Sequence, residues 1–513
     1  VKHASEILAE LQRQGVTLPL HGISADSRRI GAGEVFVAVP GVRGDGRDYI
    51  ENAIQAGAAA VIWESAGADD CAARLGKLPN VPVDGLSSVL GELADAVYGH
   101  PSAQMWVCGI TGTNGKTTVS QWIAQALNKL ARRCGVIGTL GNGLPGALVD
   151  SANTTPDVIS VHATLAGLRE AGATACAMEV SSIGLDQGRV NGVHFDTVIF
   201  TNLTRDHLEY HGNMLNYGVA KARLFEMPGI RHAIFNLDDP LGVALSENLA
   251  GRSPGVHRIG YTLNEQCPHA GSVDEILTAR DLQVGGQGFR CRIVSSLSSA
   301  DVTLNAALLG RFNASNLLAV FAALLAAGVK PADAADTCRQ LTPPPGRLQI
   351  VNTAADGDAP LLVVDYAHTP DALEQVLKTL REVAAARAGR LFCVFGCGGD
   401  RDAGKRPLMG RAAELYADEI VVTSDNPRGE NPQAIISNIL DGMTAVANTG
   451  SAVSSEVDRT LAIADTVRRM QPADVLLIAG KGHETYQEIA GQRLPYSDVE
   501  QAQLALAARR AEA

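Results

Sequence analysis

The 513-residue chain carries 43 Lys and Arg against 55 Asp and Glu, a formal net charge of −12, with 46% hydrophobic and 19% charged residues. Its length exceeds what one hydrophobic core organises and implies about three domains at roughly 150 residues each. The acidic balance argues against nucleic acid, whose affinity comes from Lys and Arg neutralising phosphates. Nine cysteines without a C-x-x-C pair fit neither a disulfide framework nor a zinc knuckle. No stretch approaches the ~20 unbroken apolar residues of a membrane-spanning helix. From Val1 to Leu11, Lys2, His3 and Glu6 interrupt apolar residues at helical spacing, unlike a secretory signal, so a cytoplasmic location is expected.

Taken in chain order, residues 1–100 predict a small α/β unit, with a strand over 35–39, a helix over 49–56 and a strand over 60–63. After His100-Pro101 the pattern becomes apolar runs alternating with amphipathic helices. Strands are predicted at 105–111, 175–180, 198–203 and 233–237, with a helix from the glycine-rich turn to about Arg132. This is the signature of an α/β fold with a mostly parallel sheet, here the expected catalytic core over 101–342. Residues 260–310 read as irregular. Pro343-Pro344-Pro345-Gly346 forms a stiff break, and from 343 to 513 the alternation restarts with strands at 361–365, 392–395, 420–423 and 475–479.

The strand 105–111 runs into Gly112-Thr113-Asn114-Gly115-Lys116-Thr117-Thr118. Glycines let backbone N–H groups approach phosphates at a helix start, Lys116 balances charge, and the Thr117 hydroxyl reaches a metal ion. A nucleotide triphosphate is the natural ligand, although the spacing is shorter than the strict phosphate-loop pattern. Glu179 ends an apolar strand, where an unpaired carboxylate is costly and a magnesium ion would pair it. His207 and His211 follow another strand at i, i+4 spacing, which zinc could use with a third ligand.

Together these segments resemble the Mur ligase family over essentially the whole chain. Gly112–Thr117 resembles its ATP loop, Gly310-Arg311-Phe312-Asn313-Ala314-Ser315-Asn316 its adenine-side helix, Pro345-Gly346-Arg347 the arginine before its last domain, and Asp365-Tyr366-Ala367-His368 its ribose-contacting turn. The resemblance implies three domains: an amino-terminal one for the uridine end of a nucleotide-sugar peptide, a central phosphate-loop ATPase, and a Rossmann-like carboxy-terminal one for an amino acid. It implies magnesium ligands at Thr117, Glu179, His207 and Lys221, the last as a carbamate. Ser27, Asn153, Thr154, Thr155, Ser181, Gln187 and Arg189 are implied to hold the nucleotide substrate. A monomer acting on small molecules is expected.

Within the family, Asp26-Ser27-Arg28, Asn153-Thr154-Thr155-Pro156, Asp425-Asn426-Pro427-Arg428 and Gly480-Lys481-Gly482-His483-Glu484 resemble the branch that adds meso-diaminopimelate to UDP-N-acetylmuramoyl-L-alanyl-D-glutamate. A carboxylate accepts an amine only after activation, and phosphoryl transfer from ATP supplies an acyl phosphate. The candidates for taking the amine's proton are His207, His368 and Glu484. Arg428 lies in a strand-end loop stiffened by Pro427, placed to pair with a second carboxylate that lysine lacks. By resemblance Arg401, Asn426, Gly480 and Glu484 surround the same amino acid, and Asp425 supports the loop. Lysine addition, a folylpolyglutamate synthetase-like ligase and an ATP-driven switch are the alternatives.

Overall fold

Uninterrupted apolar runs form the strands because both strand faces are covered. In Val35–Ala38, Val35 and Val37 pack with Ile7, Leu11 and Leu93, while Phe36 and Ala38 pack with Ile50, Ala53 and Leu75 on the other side. A strand buried on two faces has no polar alternation. The computed structural model describes residues 2–41, 44–67, 71–267, 269–285, 288–297, 301–352, 359–443 and 452–512. Val1 of the amino-terminal pattern lies outside them, and the helix there is Ala4–Arg13. The chain forms two compact units: Val1–Thr111 with Leu127–Ile199 and Ala220–Ala233, and Gly112–Ala126 with Phe200–Val219 and Ile234–Ala513.

The first unit opens with a parallel four-stranded sheet in the order Ile23–Ser24, Val35–Ala38, Ala60–Glu64, Asn80–Val83. Further along, Ala175–Glu179 lies between Trp106–Thr111 and Cys134–Gly138, parallel to both. Register pairs Ile110 with Glu179 and Ile137 with Met178, so the carboxyl ends of the three strands are level. Such level ends are where open α/β sheets take ligands.

In the second unit, six strands run in the order Gln349–Ile350, Leu361–Asp365, Val475–Ala479, Leu391–Phe395, Glu419–Thr423, Ala452–Glu456; all neighbours are parallel except the first pair. Val363, Cys393, Val422 and Leu477 face helices Pro370–Ala386, Lys405–Tyr416 and Pro432–Leu440. Leu362, Phe392, Val421 and Leu476 face Arg459–Arg469 and Asp498–Glu512. Helix starts are fixed locally: Thr369 and Asn431 cap with a proline next, and Asp458 accepts from Thr460 and Leu461 N–H groups.

Two expectations change. Residues 257–306 are not irregular but contain the strands His257–Thr262, Glu275–Gly285, Gly288–Ser295 and Asp301–Ala306, the last three in antiparallel succession. Their outward residues and a register shift between Arg280 and Gln283 hide the period of two. The strand expected over 198–203 is Thr197–Phe200, so Thr201 to Asp206 belong to a strand-end segment rather than to the sheet.

Candidate active site

Glu179 is 1% exposed at the end of its strand. Its two oxygens accept from Thr139, one from the backbone N–H at 2.8 Å and the other from the hydroxyl at 3.1 Å. That hydroxyl lies 3.1 Å from the hydroxyl of Thr154. Thr155 is fully buried; its hydroxyl donates to the Glu179 carbonyl at 3.0 Å and accepts from the Ser181 N–H at 2.9 Å. Ser181 in turn caps the helix Ser182–Asp186. Arg189 donates to the Thr155 carbonyl at 2.8 Å and twice to Gln187 Oε1. Five expected substrate residues thus form one network beside Glu179. Thr155 tethers it from beneath, whereas Asn153 is exposed and Ser27 half-buried in a separate turn.

The expected nucleotide residues gather in the second unit. Lys116 opens the helix Lys116–Lys129 and donates to the Gly112 and Thr113 carbonyls at 2.8 Å each. Asn114 donates from its backbone N–H to Asn202 Oδ1 at 2.9 Å and from its side chain to Asp371 at 3.2 Å. Gly115 has φ +87°, and a Cβ there would collide with Asn316 Oδ1, so the loop and the helix Arg311–Ala326 touch through a glycine. Asn316 donates to Asn313 at 3.3 Å. Arg347 donates to the Thr117 hydroxyl at 3.1 Å. Asp365 uses its carboxylate on the Leu348 and Ala367 N–H groups at 2.6 and 2.7 Å, fixing the turn in which it stands.

At the strand ends of the carboxy-terminal sheet a pocket is lined by Asp206, His207, Tyr366, His368, Arg401, Lys405, Asp425, Asn426, Arg428, Gly480 and Glu484, among others. Arg428 has φ +52°, a strained setting for a residue with a side chain. Its guanidinium donates to the Gly399 carbonyl at 2.6 Å and stands 3.5 Å from Glu488. Asn426 donates to Glu484 Oε2 at 2.8 Å, and the fully buried Lys481 ammonium reaches both Asn426 Oδ1 and Glu484 Oε2 at 2.9 Å. Asp425 accepts from the Asn426 N–H at 2.7 Å, and a Cβ on Gly480 would collide with its other oxygen. Arg401 is half exposed and 3.9 Å from Glu209.

The pocket's charged groups act on one another. Burial pushes the His368 imidazole down to about 4, with the Lys405 cation adding to that and Asp206 opposing it. Burial would raise the Asp206 carboxyl, but the His207, His368 and Lys405 charges prevail and hold it at about 2. His368 is therefore neutral near pH 7. Burial pushes the Cys397 thiol up to about 12, so it is no thiolate nucleophile.

His207 and His211 do not share a regular helix face, because His207 has φ +53° and only Leu208–His211 is helical after it. His211 packs 5.1 Å from the Tyr217 ring instead. The Thr117 hydroxyl and the Glu179 carboxylate are hard oxygen donors of the kind magnesium takes. Lys221 is 1% exposed. An ammonium so buried needs anionic or polar partners, and a carbamate there would be a further oxygen donor.

Three family models match the chain in succession: "Mur ligase family, catalytic domain" over residues 19–98, "Mur ligase middle domain" over 110–324, and "Mur ligase, glutamate ligase domain" over 346–482. The chain belongs to the Mur ligase family. Relatives named UDP-N-acetylmuramoyl-L-alanyl-D-glutamate--2,6-diaminopimelate ligase include one from Janthinobacterium sp., 47% identical over 96% of this chain and 95% of its own length. Another, from Pseudomonas aeruginosa, is 49% identical over 96% of each. A solved structure of an enzyme with that name is 35% identical, covers 96% of this chain and 95% of its own, and superposes with a TM-score of 0.66.

Several residues of this Mur ligase site escaped the sequence reading. Lys405 and Lys481 are buried cations, whereas a lone lysine reads as solvated surface. Thr139 and Asp371 lack any motif of their own. The signal available for Lys405 was its place in Gly404-Lys405-Arg406-Pro407, at a helix start after a glycine-rich strand end.

Proposed function

We propose that the chain is an ATP-dependent ligase joining meso-2,6-diaminopimelate to UDP-N-acetylmuramoyl-L-alanyl-D-glutamate through an acyl phosphate, which yields the tripeptide precursor of peptidoglycan. The observation that carries this reading is the carboxy-terminal pocket, where Arg428, Asn426 and Glu484 line one cavity and the buried Lys481 ammonium joins Asn426 to Glu484 behind it. Diaminopimelate carries a second carboxylate and a second ammonium beyond the reacting centre. Arg428 suits the carboxylate and Glu484 the ammonium, and the relatives' names support the same amino acid.

Three domains are proposed over 1–100, 101–342 and 343–513. Gly112 to Thr118 cradle the ATP phosphates, with Lys116 balancing their charge and Asn313, Asn316, Arg347 and Asp365 framing the nucleoside. Thr117, Glu179, His207 and a carbamylated Lys221 would hold magnesium, which would supply positive charge against the phosphates. Ser27, Asn153, Thr154, Thr155, Ser181, Gln187 and Arg189 hold the nucleotide peptide, and Thr155 also positions Ser181 and Arg189. Arg428, Arg401, Asn426 and Glu484 then orient the incoming amino acid, with Asp425, Pro427 and Gly480 shaping its loops. Positioning and charge stabilisation supply most of the acceleration in such a reaction.

No described helix is long and apolar enough to cross a membrane, and soluble substrates suit a cytoplasmic monomer. The test is ADP release measured with ATP, the nucleotide dipeptide and either diaminopimelate or lysine. Release that requires both the dipeptide and diaminopimelate is the expected result. Release without an amino acid would indicate a switch, and equal use of lysine would indicate the lysine-adding branch.

A further inference from the structure

Behind the pocket, on the opposite face of the same sheet, lies a fully buried ion pair. Arg459, the first residue of Arg459–Arg469, donates from Nε and Nη2 to the two carboxylate oxygens of Asp498 at 2.7 and 2.8 Å, and both side chains are 0% exposed. Asp498 is itself the first residue of Asp498–Glu512. The remaining guanidinium donors go to two backbone carbonyls: Nη1 to Ser424 at 3.3 Å and Nη2 to Ala479 at 2.8 Å. Ser424 directly precedes Asp425, and Ala479 directly precedes Gly480. Those two residues begin the two loops that carry Asn426, Arg428 and Glu484 into the pocket.

We infer that Arg459 and Asp498 are positioning residues for amino-acid recognition, tying together the ends of the two strands from which the recognition loops spring. The inference rests on the diaminopimelate reading of that pocket. A planar guanidinium with its donors in a fixed fork can bind a carboxylate and two carbonyls at once, which an ammonium cannot reproduce. Asp498 neutralises the buried charge and orients the fork. The spacing between Asp425 and Gly480 is therefore set from beneath, and Asn426 and Lys481 join the same loops from above at 2.9 Å. A buried pair of this kind contributes little net stability compared with well-packed apolar residues. Its distinguishing consequence is geometric: a shift of the two loops changes how Arg428 and Glu484 meet one substrate.

The test compares three proteins in steady-state assays: wild type, Arg459→Lys, and the paired replacement Arg459→Met with Asp498→Leu, which leaves no buried charge. Wild-type dependence on diaminopimelate is measured first, and its absence overturns both the functional reading and this inference. Given that dependence, the paired variant is expected to fold and to raise KM for diaminopimelate about tenfold or more, roughly the loss of one charge-assisted hydrogen bond. KM for ATP should stay within about twofold under the same reasoning, and Arg459→Lys should fall between. If the paired variant does not fold, Arg459→Lys decides by the same split. An unchanged KM for diaminopimelate, or a parallel rise for ATP, overturns the inference while the functional reading stands.

Discussion

The Arg347 guanidinium lies 4.4 Å from the centre of the Tyr366 ring while donating to the Thr117 hydroxyl. One side chain thus links the phosphate-loop helix to the turn that opens the amino-acid pocket. Arg347→Ala is expected to raise KM for ATP about tenfold or more, since it removes a cation–π contact and a charge-assisted hydrogen bond. Arg347→Lys should recover little, because an ammonium cannot stack flat and fork at once. Near wild-type KM for ATP in the lysine variant would contradict this role.

Lys116→Ala should abolish turnover and leave the fold intact. The ammonium of this loop lysine donates to the Gly112 and Thr113 carbonyls, and its removal should change thermal stability by about 0.5 kcal/mol or less. ATP-dependent ligation by this variant would remove the phosphate-loop assignment.

Glycine at 480 is required twice over, by φ +115° and by the Asp425 oxygen that a Cβ would strike. Gly480→Ala should cost about 1–3 kcal/mol of stability and weaken diaminopimelate more than ATP. Thermal denaturation alongside the two Michaelis constants checks both parts.

Lys221→Ala should be inactive and partly rescued by a small carboxylic acid. Carbon-13 NMR of the wild-type protein in labelled bicarbonate should show a carbamate carbon that the variant lacks. Its absence from active enzyme would sink the carbamate assignment.

What the sequence displayed and what it concealed follow from range. The doubly buried parallel strands announce themselves as unbroken apolar runs, and glycine-rich strand ends such as Gly112–Gly115 mark where ligands approach. Arg428 was legible because Pro427 and a preceding strand constrain it locally. Residues 257–306 were not, because Arg280, Arg290 and Arg292 load the strands with charge and a bulge breaks their register. Arg459 and Lys481 look like surface cations until distant segments bury them; the partners of Arg459 lie 39 and 35 residues away in Asp498 and Ser424. Such pairings leave no local pattern. The Thr155 hydroxyl is a further case: it bonds the Glu179 carbonyl, 24 residues along the chain.

The most direct measurement of the central claim is kcat/KM for meso-diaminopimelate against lysine, in the wild type and in Arg428→Ala. Arg428 lines the pocket, with Nη1 donating to the Gly399 carbonyl and Nε 3.5 Å from Glu488; a second carboxylate would take its remaining N–H donors. A site built for that carboxylate should favour diaminopimelate by about 2–3 kcal/mol or more, roughly thirtyfold to over a hundredfold. The expected result is a strong wild-type preference for diaminopimelate that Arg428→Ala mostly loses, chiefly by using diaminopimelate less well. Equal use of lysine by the wild type, or undiminished selectivity in the variant, would contradict the assignment.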